Sequence, residues 1–355
     1  MNIEISTHWY QQPVPSLNET IAEQAKAYQL QLTKPPGALG ELEHLAVLLA
    51  SMQGTLHPEI HRMQVVVFAA DHGIAEEGVS AFPQSVTHQM VMNFVNGGAA
   101  ISVLAKQLGA QLTVVDVGVK GEQFGTEQVV NRRIAPGTQS FISQPAMSTA
   151  QCEQALQVGA GVIDDLVDKG IQLFIGGEMG IGNTTSATAL AACALSIDCE
   201  QLTGPGTGLN AVGVVHKQRI ISAALQYHQL RRQTPLYCLQ RLGGFEIVAL
   251  VGAYLRCAQQ GIPMLVDGYI SSVAALYAYK LNRDVRPWML FGHQSQEPGH
   301  QHVLAALDAQ PLLQLNMRLG EGSGAALAVS IVQQALALHN QMATFDSAGV
   351  AEKQK

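Results

Sequence analysis

The sequence predicts an α/β protein built on a parallel sheet that is flanked by helices. From residue 64 onward, short apolar runs rich in β-branched residues alternate with helical sequence. These runs are continuously apolar, which is typical of strands buried on both faces. Since parallel strands are joined by right-handed crossovers, the alternation indicates a Rossmann-like sheet. Helical sequence at both chain ends further predicts a small helical domain.

Helix caps and hydrophobic periodicity predict the helices near both ends of the chain. The segment Ser16-Leu17-Asn18-Glu19 has the form of a capping box and precedes a periodic stretch that runs to about Leu32. Residues 33–37 (TKPPG) interrupt it, a second helix is predicted over 38–52, and helical sequence returns over 303–339. The predicted domains are 1–60 plus 303–345 for the small helical domain and 61–302 for the large α/β domain that carries the substrate site.

Each predicted strand is followed by polar or glycine-rich residues. Because ligands bind beyond the carboxyl ends of parallel strands, these segments are expected to form one site. The predicted strands are residues 64–70, 112–115, 171–175, 263–266 and 287–291. The segments that follow them are Asp71-His72-Gly73, Asp116-Val117-Gly118, Gly176-Gly177-Glu178, Asp267-Gly268-Tyr269 and Gly292-His293.

Composition excludes several classes of protein. The 355 residues are 47% hydrophobic and 13% charged, enough to bury a large core. A net charge of -7 without a basic block argues against nucleic-acid or anionic-membrane partners. Five cysteines without a Cys-x-x-Cys pair fit a reducing compartment rather than a disulfide framework. With no signal-like N-terminus and no uninterrupted apolar span, a soluble cytoplasmic protein is expected.

The glycine-rich loop 176–186 leads from a strand into an Ala-rich helix, an arrangement that presents backbone N–H groups to an anion. Its spacing matches a P-loop except that Asn183 replaces the lysine, so a single phosphate or a ribose is favoured over a nucleoside triphosphate. A turn needed only for strand–helix packing is the alternative. The candidate binding residues are Gly180, Gly182, Asn183 and Thr184.

Two further loops carry weaker signals. Residues 204–208 (GPGTG) with the following Lys217 form a candidate anion site, although an ordinary loop is equally compatible. The loop 292–302 contains three histidines, which suggest a metal with His72 and Asp267 as further ligands. Gln and Pro occupy the intervening positions and no His-Glu-x-x-His motif is present, so hydrogen-bonding roles for Ser295 and the histidines are favoured over a metal. No cofactor is predicted.

The segment 319–326 places one carboxylate, Glu321, among three glycines ahead of an apolar helix. Flanking glycines allow close backbone approach, so this carboxylate can face a ligand. The alternative is a helix start with Ser323 as its cap. After the first strand, Phe82, Gln89 and Met90 are candidates for a flat apolar pocket or, equally, for the core.

Together these motifs resemble the nicotinate-nucleotide–dimethylbenzimidazole phosphoribosyltransferase family over nearly the whole chain. The resemblance implies transfer of phosphoribose from nicotinate mononucleotide to a benzimidazole, without a cofactor, by a homodimer with a parallel-sheet domain and a small helical domain. The motifs are KPPGALG (34–40), ADHG (70–73), GEMGIGNTT (177–185), GHQS (292–295) and LGEGSG (319–324).

The resemblance also implies roles for individual residues. Glu321 matches the general base, and Glu178 is the second carboxylate, which would act in catalysis or orient a substrate. The phosphate is assigned to Gly206, Thr207, Gly208 and Lys217, the nicotinate and ribose side to Asp267 and Ser295, and the base pocket to Phe82, Gln89, Met179 and Leu319.

Two other classes remain open from the sequence. A nucleotide-sensing module would use the same glycine loops but does not need Glu321. A metal-dependent hydrolase built on His72, His293 and His300 would need no acceptor base and would lose activity with a chelator.

Overall fold

The computed structural model describes residues 8–230 and 233–351, in which seven parallel strands form one sheet. The strands are β1 (Met63–Ala70), β2 (Gln111–Gly118), β3 (Val129–Asn131), β4 (Leu173–Met179), β5 (Met264–Val266), β6 (Met289–His293) and β7 (Pro311–Leu313). Their order across the sheet is β3-β2-β1-β4-β5-β6-β7. The helices are α1 (Glu19–Gln29), α2 (Glu41–Gln53), α3 (Ser85–Val95), α4 (Ala100–Leu108), α5 (Thr149–Val167), α6 (Asn183–Leu195), α7 (Cys199–Leu202), α8 (Ala211–His228), α9 (Pro235–Leu242), α10 (Phe245–Gln259), α11 (Tyr269–Leu281), α12 (His300–Ala306), α13 (Ser323–Gln341) and α14 (Phe345–Ala348).

All five strands predicted from the sequence are confirmed as β1, β2, β4, β5 and β6. Every residue of β1 is buried, as expected for a strand covered on both faces. Strand β1 pairs with β2 on one side and with β4 on the other, and both pairings are parallel. The predicted α/β class with a parallel, helix-flanked sheet is therefore correct.

The two edge strands escaped the sequence analysis. Strands β3 and β7 have three residues each, and β7 begins with a proline, which sheets accept mainly at edges. The expectation of helix throughout 303–339 is wrong between Ala306, where α12 ends, and Ser323, where α13 begins. Within this stretch Pro311–Leu313 pairs with β6. Short edge strands lack the continuous apolar run that identifies a central strand, because one side of each faces away from the sheet.

Adjacent glycines in β4 show how the helices cover both faces of the sheet. A Cβ on Gly176 would meet Leu250 and Tyr254 of α10, whereas a Cβ on Gly177 would meet Glu321, just before α13. Since successive residues of a strand point to opposite faces, α10 and the start of α13 lie on opposite sides of β4. The carboxyl end of β4 is thus enclosed between them.

The chain ends pack together through α1, α2 and α13. Gln29 of α1 hydrogen-bonds His339 of α13 (2.8 Å), and the same imidazole contacts the carbonyl of Leu56 (2.9 Å). The capping box predicted at Ser16 is wrong, because Asn18 is the N-cap and its side chain accepts from the Ile21 N–H (3.0 Å). These contacts support a helical cluster built from both ends, and its extent as a separate domain stays a prediction.

Candidate active site

A cavity of about 240 Å³ opens at the carboxyl ends of β4, β5 and β6. The segments after these three strands line the cavity together with the segment before α13. The expectation that all five strand-end segments form one site is wrong for Asp71-His72-Gly73 and Asp116-Val117-Gly118, which do not line this cavity. Predicted site residues in its lining are Phe82, Glu178, Met179, Gly180, Asn183, Thr184, Gly206, Thr207, Asp267, Ser295, Leu319 and Glu321. Lining residues that the sequence analysis did not assign are Ile181, Gly268, Tyr269, Ile270, Ser271, His293, Glu297, Arg318 and Gly320.

Glu321 lies in an unusual backbone turn. Gly320, Glu321 and Gly322 all have positive φ angles, of 85°, 67° and 89°. Glycine adopts this left-handed region freely, whereas a residue with a side chain costs about 1–3 kcal/mol there. The N-cap of α13 is Gly322, and the Ser323 hydroxyl donates to the Gly320 carbonyl (2.6 Å), so the expectation of Ser323 as the cap is wrong. Glu321 thus lines the cavity from a tight turn directly before α13.

The Glu321 carboxyl group is poised to exchange a proton near neutral pH. Glu321 is only 6% exposed, and burial raises the pKa of its carboxyl group to about 7. The nearby Asp267 raises the pKa further, and contact with the Ile101 backbone N–H partly offsets the rise. Its Oε2 is buried without a hydrogen-bond partner among the described residues. An incoming donor could therefore bind this oxygen.

Asp267 holds the turn that carries Glu321. Its Oδ1 accepts from the Ala325 N–H (2.8 Å) and its Oδ2 accepts from the Gly322 N–H (3.2 Å). These N–H groups belong to the open first turn of α13, where a carboxylate is favoured by the helix dipole. Burial raises the pKa of Asp267, while His293, whose Nε2 is 3.6 Å from Oδ1, lowers it. Asp267 therefore lines the cavity and also anchors α13.

Glu178 lies deeper, at the end of β4. It accepts a hydrogen bond from the Asn183 side chain. Burial is the main cause that raises its pKa well above the usual value, and the charges of Glu246, Asp267 and Glu321 add to the effect. Burial beside other carboxyl groups therefore favours the protonated form of Glu178 more than in an exposed carboxyl group.

The anion-binding candidates lie together on one side of the cavity. Lys217 is fully buried and donates from Nζ to the Thr184 hydroxyl (2.8 Å), directly behind the cavity wall. Burial lowers its pKa to about 8, against the opposing effect of Glu297. Glu297 accepts from the Gly206 N–H (3.0 Å), and Arg318 donates to the Gly206 carbonyl (2.8 Å). Two cations therefore lie close to the predicted phosphate loop.

Ser295 is held by a buried histidine. The Nδ1 atom of His300 accepts from the Ser295 N–H (2.9 Å) and lies 3.0 Å from its hydroxyl, so Nε2 carries the proton towards Ser272 (3.0 Å). Burial lowers the pKa of His300 to about 3, which keeps the imidazole neutral. Because both nitrogens of His300 are engaged, this histidine has no free lone pair to offer a metal. The Nε2 atom of His72 is likewise engaged, by Glu246 (2.5 Å).

Four predicted residues lie outside the cavity lining. Lys217 is behind the wall, Gly182 is the N-cap of α6, and Gly208 follows the lining residue Thr207 on the exposed side of its loop. Gln89 is exposed on α3, so its assignment to the base pocket is unsupported by its position. Phe82 and Leu319 lie at the mouth, 51% and 56% exposed.

Two charged lining residues, Glu297 and Arg318, were missed although both stand beside loops that the sequence analysis singled out. The KPPGALG motif lies in the turn between α1 and α2, where Lys34 pairs with Glu43 (2.8 Å).

Within residues 8–230 and 233–351, no cluster of His, Cys, Asp and Glu has metal-site geometry. No helix in the same ranges combines the length and hydrophobicity needed to cross a bilayer.

The fold and the cleft of ionisable side chains at the carboxyl ends of its strands are those of an α/β enzyme. A family described as phosphoribosyltransferase has a sequence model that matches residues 14–350. The nicotinate-nucleotide–dimethylbenzimidazole phosphoribosyltransferase of Pseudomonas fluorescens strain Pf-5 is 56% identical over 349 residues, covering 98% of this chain and 99% of the relative. The enzyme of that name from Pseudomonas putida strain KT2440 is 54% identical over 345 residues, covering 97% and 98%.

Structural similarity agrees with the sequence relatives. A crystal structure of CobT from Thermus thermophilus matches with a TM-score of 0.90 and 42% identity, and the match covers 94% of this chain and 100% of that one. The chain belongs to the nicotinate-nucleotide–dimethylbenzimidazole phosphoribosyltransferase family, as its sequence motifs indicated.

Proposed function

We propose that this chain transfers phosphoribose from nicotinate mononucleotide to 5,6-dimethylbenzimidazole or a related base. The products are nicotinate and α-ribazole phosphate, which supplies the nucleotide loop of cobalamin. The names of the relatives state both substrates for those proteins. The observation that carries the proposal here is a buried carboxyl group, Glu321, whose pKa is raised to about 7 beside a cleft with an anion-binding side.

The reaction exchanges one C–N bond for another. The unprotonated ring nitrogen of the base attacks C1′ of the ribose from the face opposite nicotinate, whose bond to C1′ breaks with its electron pair going to the pyridine nitrogen. The configuration at C1′ inverts. The attacking base then carries excess positive charge until its other ring nitrogen loses a proton, so a proton acceptor is needed at that nitrogen.

Glu321 is the proposed general base. A general base is most effective when its pKa lies near the working pH, and burial brings this carboxyl group into that range. Its buried Oε2, which lacks a partner among the described residues, leaves an acceptor for the N–H of the base. Glu178, whose pKa is raised by burial and by the neighbouring carboxyl groups, is assigned an orienting role towards the ribose.

The phosphate is proposed to bind on the side formed by Thr184, Gly206, Thr207 and Lys217. The Lys217 cation reaches this side through Thr184, and Arg318 adds a second positive charge at Gly206. Such charge-assisted contacts are the stronger class of hydrogen bond. Asp267 and Ser295 would face the ribose and nicotinate, while Phe82, Met179 and Leu319 would supply apolar surface to the base.

Nicotinate release in the presence of a base panel tests the proposal. The purified protein is incubated with nicotinate mononucleotide alone and then with benzimidazoles, purines or phenols. We expect nicotinate to appear only with an acceptor base, in equal amount to an α-linked product. A nucleotide-sensing module would release no nicotinate, and a hydrolase would release it without a base and yield free ribose phosphate.

Chelation distinguishes the proposed transferase from the metal-dependent hydrolase. Full activity after exhaustive chelation is expected, because the proposed groups act as base, donors and cations without a metal. Loss of activity that zinc or manganese restores would instead favour the metal-dependent hydrolase. Homodimer formation, implied by the resemblance, and a cytoplasmic location, expected from the composition, stay predictions that light scattering and cell fractionation can test.

A further inference from the structure

A pair of cysteines lies away from the cleft, at the far end of the helix that begins there. Cys193 is in the last turn of α6, and Cys238 is in α9, which packs against α6. Their Sγ atoms are 2.9 Å apart. Since a disulfide bond has an S–S length of about 2.0 Å, the two sulfurs need to approach by only about 1 Å to bond.

We propose that Cys193 and Cys238 form a reversible redox pair that closes to a disulfide when a peroxide oxidises it. The proposal does not depend on the transferase function. It assigns a modification site to two residues that the proposed reaction does not use.

The pair has a route to small oxidants. Both cysteines line a cavity of about 410 Å³, which also contains Tyr277 and Lys280. Cys193 is half-buried, whereas Cys238 is only 3% exposed. Peroxide entering this cavity would therefore meet Cys193 with Cys238 directly behind it.

Electrostatics assign different roles to the two sulfurs. The hydrogen bond from Cys238 lowers the pKa of the Cys193 thiol despite burial, and Tyr277 and Lys280 lower it further. The same contact raises the pKa of Cys238. Because the thiolate is the nucleophile, Cys193 is the attacking cysteine and Cys238 the resolving one.

The chemistry balances with one peroxide molecule. The Cys193 thiolate attacks one peroxide oxygen, the O–O bond breaks, and hydroxide leaves and takes a proton to become water. Cys193 is then a sulfenic acid. The Cys238 sulfur displaces its hydroxyl group, which leaves as a second water with the Cys238 proton, and the S–S bond forms. Two thiols lose two electrons, and the peroxide gains them.

The other three cysteines provide internal controls. Burial raises the pKa of Cys152 to about 12 and that of Cys199 to about 11, and it also raises that of Cys257. All three are buried. They should stay reduced under conditions that oxidise the pair.

Peptide mapping of the full-length protein tests the proposal directly. The reduced protein is treated with a small excess of hydrogen peroxide, unfolded, alkylated and digested without reductant. We expect a linked pair of peptides containing Cys193 and Cys238, lighter than the two thiol peptides by two hydrogen atoms, while Cys152, Cys199 and Cys257 are alkylated. Dithiothreitol should restore five alkylated cysteines.

Variants identify the order of the two steps. In Cys238→Ser, Cys193 should accumulate as a sulfenic acid that dimedone traps, and Cys257→Ser should form the linked pair as the wild type does. Full alkylation of both cysteines in peroxide-treated wild type, or a bond from Cys193 to Cys199 instead, would overturn the proposal. The wild-type measurement stands even if a variant fails to fold.

Discussion

The backbone carbonyl of Glu321 packs directly on Gly177, so closely that a Cβ on Gly177 would overlap the Glu321 oxygen. Gly292 has a similar relationship to α13, since its Cβ would lie 2.6 Å from the Cα of Ala325. The start of α13 thus rests on the bare backbone of β4 and β6. This contact, together with Asp267, determines where the Glu321 carboxyl group stands.

Gly177→Ala should displace the Glu321 turn. The added methyl group meets backbone, which cannot move as a flexible side chain would, so we expect a loss of about 1–3 kcal/mol in the free energy of unfolding. Urea unfolding measures the stability, and nicotinate release should fall with it. Gly161→Ala in α5 is the matched control, because its Cβ meets nothing within 4 Å among the described residues and alanine favours the helix. Equal behaviour of the two variants would contradict the packing argument.

Glu321→Gln tests the general base. The amide keeps the shape of the side chain but cannot accept the proton of the base, so turnover should fall by about 10²–10⁴-fold. Binding of both substrates, measured by calorimetry, should change little. Near wild-type turnover would reduce Glu321 to a helix-terminal charge and make Glu178 the leading candidate for the base.

The pH dependence of kcat/KM for nicotinate mononucleotide should be bell-shaped. Glu321 must be ionised to act as a base, so the rate falls as the pH drops below its pKa of about 7. Lys217 must be protonated to attract the phosphate, so the rate falls as the pH rises above its pKa of about 8. The acidic limb should disappear or shift in Glu321→Gln. A flat wild-type profile across both pKa values would argue against these two roles.

Lys217→Met tests the phosphate side while filling the buried volume that Lys217→Ala would leave empty. Lys217 acts on the phosphate from behind Thr184, so its loss should weaken nicotinate mononucleotide by up to about 10- to 150-fold, the value for a direct charge-assisted contact of about 1.5–3 kcal/mol. Affinity for the base should change far less. Lys106→Met, on α4, is a surface control for loss of one charge. Unchanged nucleotide affinity in Lys217→Met would place the anion elsewhere.

Much of the site was predictable because its signals are local. Glycines 320 and 322 flank Glu321 in the sequence, and the turn needs glycines there for its positive φ angles. Gly177 was identified within the glycine-rich segment 176–186, but what it provides is close approach to the Glu321 backbone, which the sequence does not show. Glu297 and Arg318 were not predicted, since they act on Gly206, which is 91 and 112 residues away in the chain. Gln89 was assigned to the base pocket by resemblance. Its exposed position on α3 depends on how that helix packs, which the sequence alone does not show.

The sequence by itself determined the class of fold, the central strands and the loops that meet at their carboxyl ends. Continuous apolar runs and glycine spacing are properties of neighbouring residues, and the chain displays them before it folds. Tertiary structure decided the edge strands, the burial that raises the pKa of Glu321, the anchoring of α13 by Asp267 and the contact between Cys193 and Cys238. These features depend on dielectric environment and on distances between residues far apart in sequence, which exist only once the sheet has assembled.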